Sequence, residues 1–169
     1  MKARMNNPVM IIPGAMQAVQ AFSKFGKEGT VPASMIDLIH LRVSQINGCS
    51  VCVDMHWRGA KAAGETDERI FAVAAWRDAP YFTDAERAAL ALAEAVTRVA
   101  DRPDPVPDAI WDEAAKQYSK QELATLLLAI AAINVWNRLN IATRQVAGEW
   151  IKSAEAREYV QEHAAATVS

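Results

Sequence analysis

Ser119-Lys120-Gln121-Glu122-Leu123-Ala124-Thr125-Leu126-Leu127-Leu128-Ala129-Ile130-Ala131-Ala132-Ile133-Asn134-Val135-Trp136-Asn137-Arg138 is the stretch whose reading decides the fold class. Serine followed three residues later by glutamate has the form of a capping box, in which each side chain satisfies a backbone N–H at the helix start. The stretch therefore predicts a helix from Glu122 to about Arg138. Leu126, Leu127, Leu128, Ile130 and Ile133 make it apolar nearly all round. A helix with no polar face is buried, either at the centre of its own domain or between subunits. In a chain of this size both are expected, so a homo-oligomer is expected too. The longest apolar run, Leu123 to Ile133, is too short to span a bilayer.

Outward from that helix the same signals recur. Thr83-Asp84-Ala85-Glu86 is another capping box, opening a helix to about Val99. Between the two boxes, Arg102-Pro103-Asp104-Pro105-Val106-Pro107 is a loop, because each proline restricts itself and its predecessor. Pro107 starts a helix to Tyr118. Upstream, helices are expected from Pro13 to Gly26, from Ala33 to Ile46 with Ser34 as its cap, from Ser50 to Ala63, and from Asp67 to Trp76 with Thr66 as its cap. Asn47-Gly48 stops the second of these. Downstream, Glu149 to His163 is charged and alanine-rich, and is expected to form a surface or partner-seeking helix. No segment alternates β-branched and polar residues with period two. The expected fold is all-α, a compact bundle of about six to eight helices. One domain is expected over residues 1–169, with its core at about 33–140.

Composition narrows the function. The chain has 169 residues, a formal net charge of −2, and seven each of glycine and proline. Its basic residues are scattered, so no nucleic-acid partner is expected. The apolar run Val9 to Ile12 ends at Pro13 and is too short for a signal peptide. A soluble cytoplasmic protein with no membrane partner is expected.

Asn47-Gly48-Cys49-Ser50-Val51-Cys52-Val53-Asp54-Met55-His56 holds both cysteines of the chain. In a helix, positions i, i+3 and i+7 share a face, which places Cys49, Cys52 and His56 in one line. Gly48 breaks the preceding helix, so Cys49 stands at the next helix start. Free N–H groups and the positive dipole end favour a thiolate there. A thiolate that attacks a peroxide bond becomes a sulfenic acid, and a second thiol one turn away can condense with it. The competing readings are buried cysteines acting as small hydrophobes and a zinc site. Cys49, Cys52 and His56 supply three of the four ligands that structural zinc takes. His40 and His163, the other histidines, have no ligand-like spacing, so no metal is expected. Other polar residues carry structural expectations. Asp54 should be solvated or paired with Arg58, four residues on. His40, three residues past Asp37, could approach the site, but a satisfied structural histidine is the preferred reading. Asn134 and Asn137 should hold backbone or the relay, with structural duty the preferred reading. Trp57, Trp76, Trp111, Trp136 and Trp150 should be core or interface aromatics.

Leu41-Arg42-Val43-Ser44-Gln45-Ile46-Asn47-Gly48-Cys49, with Cys52 and His56, resembles the core of the alkylhydroperoxidase D-like proteins of the carboxymuconolactone decarboxylase superfamily. Gly64-Glu65, Trp76-Arg77, Phe82-Thr83, Glu86 to Leu90 and Ile133 to Leu139 extend the resemblance over roughly Asp37 to Leu139. The resemblance implies an all-helical trimer or hexamer. It implies a thiol peroxidase that reduces hydroperoxides through a Cys49–Cys52 disulfide, without a bound cofactor. Cys52 matches the peroxide-attacking cysteine, Cys49 the resolving thiol and proton donor, and His56 the histidine of a proton relay. The family's relay ends in a glutamate twelve residues before the first cysteine. Here that position is Asp37, shorter by about one C–C bond. The electron donor implied is an external lipoyl- or thioredoxin-like dithiol. The other branch of the superfamily implies a decarboxylase or isomerase for a muconolactone-like acid, which does not call for the cysteine pair. A non-catalytic oligomer that senses redox state would use the same two cysteines.

Overall fold

A computed structural model describes residues 2–26, 29–101, 103–152 and 154–165. Arg102, placed by the sequence in the proline loop, lies outside the described residues. Eight α-helices follow one another: α1 (Ala15–Phe25), α2 (Ala33–Asn47), α3 (Ser50–Ala62), α4 (Asp67–Ala72), α5 (Asp84–Thr97), α6 (Asp108–Gln117), α7 (Lys120–Thr143) and α8 (Ala154–Ala165). Among the described residues there is no strand, so the all-α reading holds.

α2 is the central element. It packs against α3, α5 and α7, while α1 lies on α7, α6 on α5 and α8 on α3. Leu38, Ile39, Leu41 and Val43 of α2 meet Leu90 and Leu92 of α5 and Leu126, Ile130 and Ile133 of α7 in one core. Each such side chain contributes about 1.5–3 kcal/mol by leaving water. Both capping boxes form: Thr83 and Glu86 cap α5, and Ser119 and Glu122 cap α7.

Several expected details change. Pro32, not Ser34, precedes α2, and no side-chain cap is made there. Proline's fixed φ suits the entry to a helix without one. α1 begins at Ala15, after Gly14 has turned the chain. The helix expected over Asp67–Trp76 tightens into a 3₁₀ turn at Val73–Ala75. α7 runs five residues beyond Arg138, to Thr143, because no glycine or proline interrupts it before Arg144 takes a left-handed φ of 55°. At 24 residues it is long and apolar enough to cross a membrane by length and composition, and it lies packed among α1, α2 and α5. Of the tryptophans, Trp76 is buried, whereas Trp57 and Trp111 are exposed. The largest correction concerns the tail. α8 docks on α3 and buries Ala156 and His163.

Candidate active site

The site begins with a helix stop. Gly48 closes α2 at φ 74°, a left-handed conformation that glycine adopts without Cβ strain. The chain reverses there, and the Cys49 N–H donates back to the Ser44 carbonyl at 3.0 Å. Asn47 pins the turn to α7. Its Nδ2 donates to Asn134 Oδ1 at 2.9 Å and to Asn137 Oδ1 at 2.8 Å, and Asn137 Nδ2 donates to Ser44 Oγ. Asn134 and Asn137 are thus structural, as expected.

Cys49 is the N-cap of α3, and its sulfur accepts the Cys52 N–H at 3.4 Å. The two cysteines are paired as a disulfide, with Cα atoms 5.4 Å apart. Both are buried. Asn140 Nδ2 donates to Cys52 Sγ at 3.3 Å. The orientation of that amide is set from elsewhere. Asn140 Oδ1 accepts from Asn7 Nδ2 at 2.8 Å, and Asn7 Oδ1 accepts the Val9 N–H. A cleft of about 140 Å³ opens beside the disulfide, lined by Gly48, Cys49, Ser50, Val51, Asn140, Ile141, Arg144 and Gln145. Cys49 is among the residues that line this cleft, and Cys52 is not.

A buried polar cluster joins α2 and α3. Asp37 and His40 come from α2 and His56 from α3, with candidate ligand atoms within 4.8 Å of one another. The rings of His40 and His56 are 4.8 Å apart. α8 closes the cluster from the far side. Tyr159 Oη lies 3.1 Å from His56 Nδ1, and His163 Nε2 lies 3.3 Å from Asp37 Oδ1. His163 Nδ1 is 2.7 Å from the Tyr159 carbonyl, and Trp150 packs edge-on against the Tyr159 ring. Burial, and then the Asp37 charge, push the Tyr159 hydroxyl far above its ordinary value, so it keeps its proton. Gly59 admits Tyr159 to α3, since a Cβ there would meet Tyr159 Oη at 2.6 Å.

The structure thus brings Asp37 and His56 together and sets Cys52 one turn before His56 on α3. Asp54 pairs with Arg58 Nε at 3.1 Å, as expected, and also accepts the Gly148 N–H. His40, expected to be structural, belongs to the cluster. Asn140 and Tyr159 were not singled out by the sequence, and His163 was set aside for want of a ligand-like spacing. Asn140 lies beyond the expected end of its helix. Tyr159 and His163 are four residues apart on one face of the tail, a spacing that marks neighbours only once the tail is known to dock.

Residues 13–95 match the carboxymuconolactone decarboxylase family. The uncharacterized protein YdfG of Bacillus subtilis (strain 168) is 36% identical over 132 residues, spanning 78% of this chain and 88% of its own. Among solved structures, ATU0492 of Agrobacterium tumefaciens superposes with a TM-score of 0.81 at 34% identity, covering 86% of this chain and 98% of that one. It is a protein of unknown function, suggested to be the antioxidant defence protein AhpD. The debrominase Bmp8 shares the fold, with a TM-score of 0.69 at 22% identity, over 89% of this chain and 77% of its own.

Proposed function

Because the chain belongs to the carboxymuconolactone decarboxylase family and carries a cysteine pair at a helix start, we propose that it is a thiol peroxidase. The observation that carries this reading is the Cys49–Cys52 pair at the start of α3, with an amide donor on the Cys52 sulfur. In the reduced protein, the helix N-terminus and the Asn140 amide favour Cys52 as a thiolate. Its proton passes to His56. The thiolate attacks one peroxide oxygen and the O–O bond breaks. The departing alkoxide takes the proton back and leaves as an alcohol, or as water when the substrate is hydrogen peroxide. Cys52 is then a sulfenic acid. The Cys49 sulfur attacks it, and the expelled hydroxide leaves as water with the Cys49 proton. The two thiols have been oxidised to a disulfide and the peroxide reduced by two electrons. Asp37 and His56 form the proton relay.

An external dithiol, lipoyl- or thioredoxin-like, closes the cycle. The cleft favours Cys49 as the sulfur it attacks, because Cys49 lines the opening. Cys52 is then the leaving thiolate, and it leaves into the hydrogen bond of Asn140. Such a cycle suits the cytoplasm, where dithiol reductants are supplied. A homotrimer or hexamer suits the apolar side chains left exposed at Met10, Ile12, Phe25, Phe71, Val135 and Ile141.

The test is a thiol count before and after stoichiometric peroxide, on wild type, Cys49→Ser and Cys52→Ser. One disulfide per peroxide is expected for wild type. Cys52→Ser should fall to background turnover, and Cys49→Ser should stop at a sulfenic acid that a dimedone-type reagent traps. Full peroxidase activity in Cys52→Ser would end this reading. Negligible turnover by wild type, with an oligomer that changes on oxidation, would favour the redox-sensing alternative.

A further inference from the structure

We propose that Arg144 makes the Cys49–Cys52 disulfide selective for a small dithiol reductant that carries a carboxylate. The proposal rests on the reading that an external dithiol reduces the pair. Cys49 lines the cleft beside the disulfide, and among the described residues Arg144 is the single charged member of that lining. The cleft measures about 140 Å³. Pockets that enclose a drug-sized molecule run from roughly 300 to 1,000 Å³. This one therefore admits a dithiol head and leaves the rest of the reductant at the rim.

The backbone at this position adds an independent argument. Arg144 ends α7 at φ 55° and ψ 47°, and among the described residues it is the one non-glycine residue with positive φ. Glycine or asparagine takes that left-handed position with less strain. The turn uses only the main chain of Arg144, whose N–H donates to the Ile141 carbonyl at 3.1 Å. Its side chain is exposed, and the guanidinium has no hydrogen bond or ion pair among the described residues. The neighbouring amides are already committed. Asn140 Nδ2 donates to Cys52 Sγ, and Gln145 Nε2 donates to the Met5 carbonyl and the Thr143 hydroxyl. A strained backbone beside a reactive group, carrying an uncommitted side chain, is where strain serves function rather than folding. An unpaired cation there attracts an anion. Ser50 and Val51, at the positive end of the α3 dipole, line the same cleft and add to that attraction.

The chemistry is thiol–disulfide exchange. One thiolate of the reductant attacks the Cys49 sulfur, the disulfide bond breaks, and Cys52 leaves with the electron pair and takes up a proton. The second thiol of the reductant then attacks its own sulfur in the mixed disulfide. It expels Cys49, which takes up the second proton. The protein pair gains two electrons, and the dithiol loses two and closes to a cyclic disulfide. Arg144 takes no part in bond making. It pairs with the carboxylate and holds the dithiol at Cys49. The chain as a whole carries a formal net charge of −2, which repels an anionic reductant. A preference for the acid is therefore a local effect of the cleft.

The test compares dihydrolipoate with its neutral amide, dihydrolipoamide, on the oxidised full-length protein. The two carry the same dithiol and differ in the carboxylate. Reduction is followed without peroxide, by alkylating the freed cysteines and weighing the protein. At low ionic strength the acid should reduce wild type about two- to fivefold faster than the amide, the gain that one exposed ion pair supplies. The gain should lie in the half-saturating concentration, not in the limiting rate. It should vanish near 1 M salt, where charges are screened beyond about 3 Å. Arg144→Gln and Arg144→Gly should bring the ratio to one or below, and Arg144→Lys should keep most of it. Glycine suits the left-handed turn, so Arg144→Gly should melt no lower than wild type. A lower melting temperature would assign the side chain to the fold and overturn the proposal. Equal rates for acid and amide on wild type would overturn it too, and would leave the peroxidase cycle standing. A disulfide that neither dithiol reduces would overturn the cycle itself, and this proposal with it.

Discussion

Asp37 and Gly59 are both small residues where a larger one would exclude a neighbour. The carboxylate at 37 is shorter than the glutamate of the resembling family, and His163 Nε2 lies 3.3 Å from its Oδ1. Gly59 has no Cβ, and Tyr159 lies where one would be. Glycine inside a helix ordinarily costs about 1 kcal/mol relative to alanine. Gly59→Ala should therefore stabilise α3 if nothing stood against it. A contact at 2.6 Å to Tyr159 Oη reverses the sign, because overpacking costs about 1–3 kcal/mol. The cheapest relief is for α8 to move away, since it joins the bundle mainly through α3. Gly59→Ala is expected to speed amide hydrogen exchange across residues 154–165 while α2, α5 and α7 keep their protection. Unchanged exchange in α8 would show that Tyr159 does not rest on Gly59.

At the scale of elements, local signals were legible and docking was not. Both capping boxes, the Thr66 cap and the Gly48 stop are written within a few consecutive residues, and all of them form. The line of Cys49, Cys52 and His56 was legible for the same reason, being carried by one helix. α7 was underestimated: its end was expected at about Arg138, and the polar residues Asn137, Arg138 and Asn140 lie inside it. Their side chains instead serve Ser44, Asn134 and Cys52, so the helix continues through them. α8 was misread because its inward stripe, Ala156, Tyr159 and His163, has the right spacing but consists of small and polar residues. A hydrophobic pattern carries no trace of such a face. Its meaning depends on the carboxylate and histidine waiting on α2 and α3. The same reason left His40 undecided, since its spacing from Asp37 was legible but its nearness to His56 was not.

At the scale of the whole molecule, one carboxylate ties the bundle together. Glu94 on α5 accepts from Arg42 on α2 at 2.7 Å, from Trp76 Nε1 at 3.0 Å and from Arg77 at 2.7 Å. Burial pushes its carboxyl up, but the hydrogen bonds from Trp76, Arg77 and Arg42 outweigh that and hold it below its ordinary value of 4.5. The folded protein therefore binds this proton more weakly than the unfolded chain does. The stabilisation is complete above the unfolded value and is lost as pH falls through the lower folded one. Glu86, held by Arg69, adds to the same slope. The melting temperature should fall steeply below about pH 4.5. Glu94→Gln should flatten part of that fall. It should also cost about 2–3 kcal/mol at neutral pH, less than a fully enclosed pair because Arg77 is half exposed. An acid slope identical in wild type and Glu94→Gln would remove Glu94 as its source.

The reach of the molecule shows also in the amide that touches Cys52. An amide has a donor end and an acceptor end, and nothing in its outline says which way round it sits. Val9 N–H orients Asn7, Asn7 orients Asn140, and Asn140 thereby turns its N–H₂ toward the sulfur. Polarity is relayed from the first ten residues to the cysteine pair as a sense of direction. Without Asn7 the Asn140 group can rotate half a turn and offer oxygen to the sulfur, a repulsion where there was an attraction. Asn7→Ala is expected to slow release of Cys52 during dithiol reduction, read as the rate of thiol appearance, with the helical content unchanged. An unaltered rate would mean that Asn140 finds its orientation unaided.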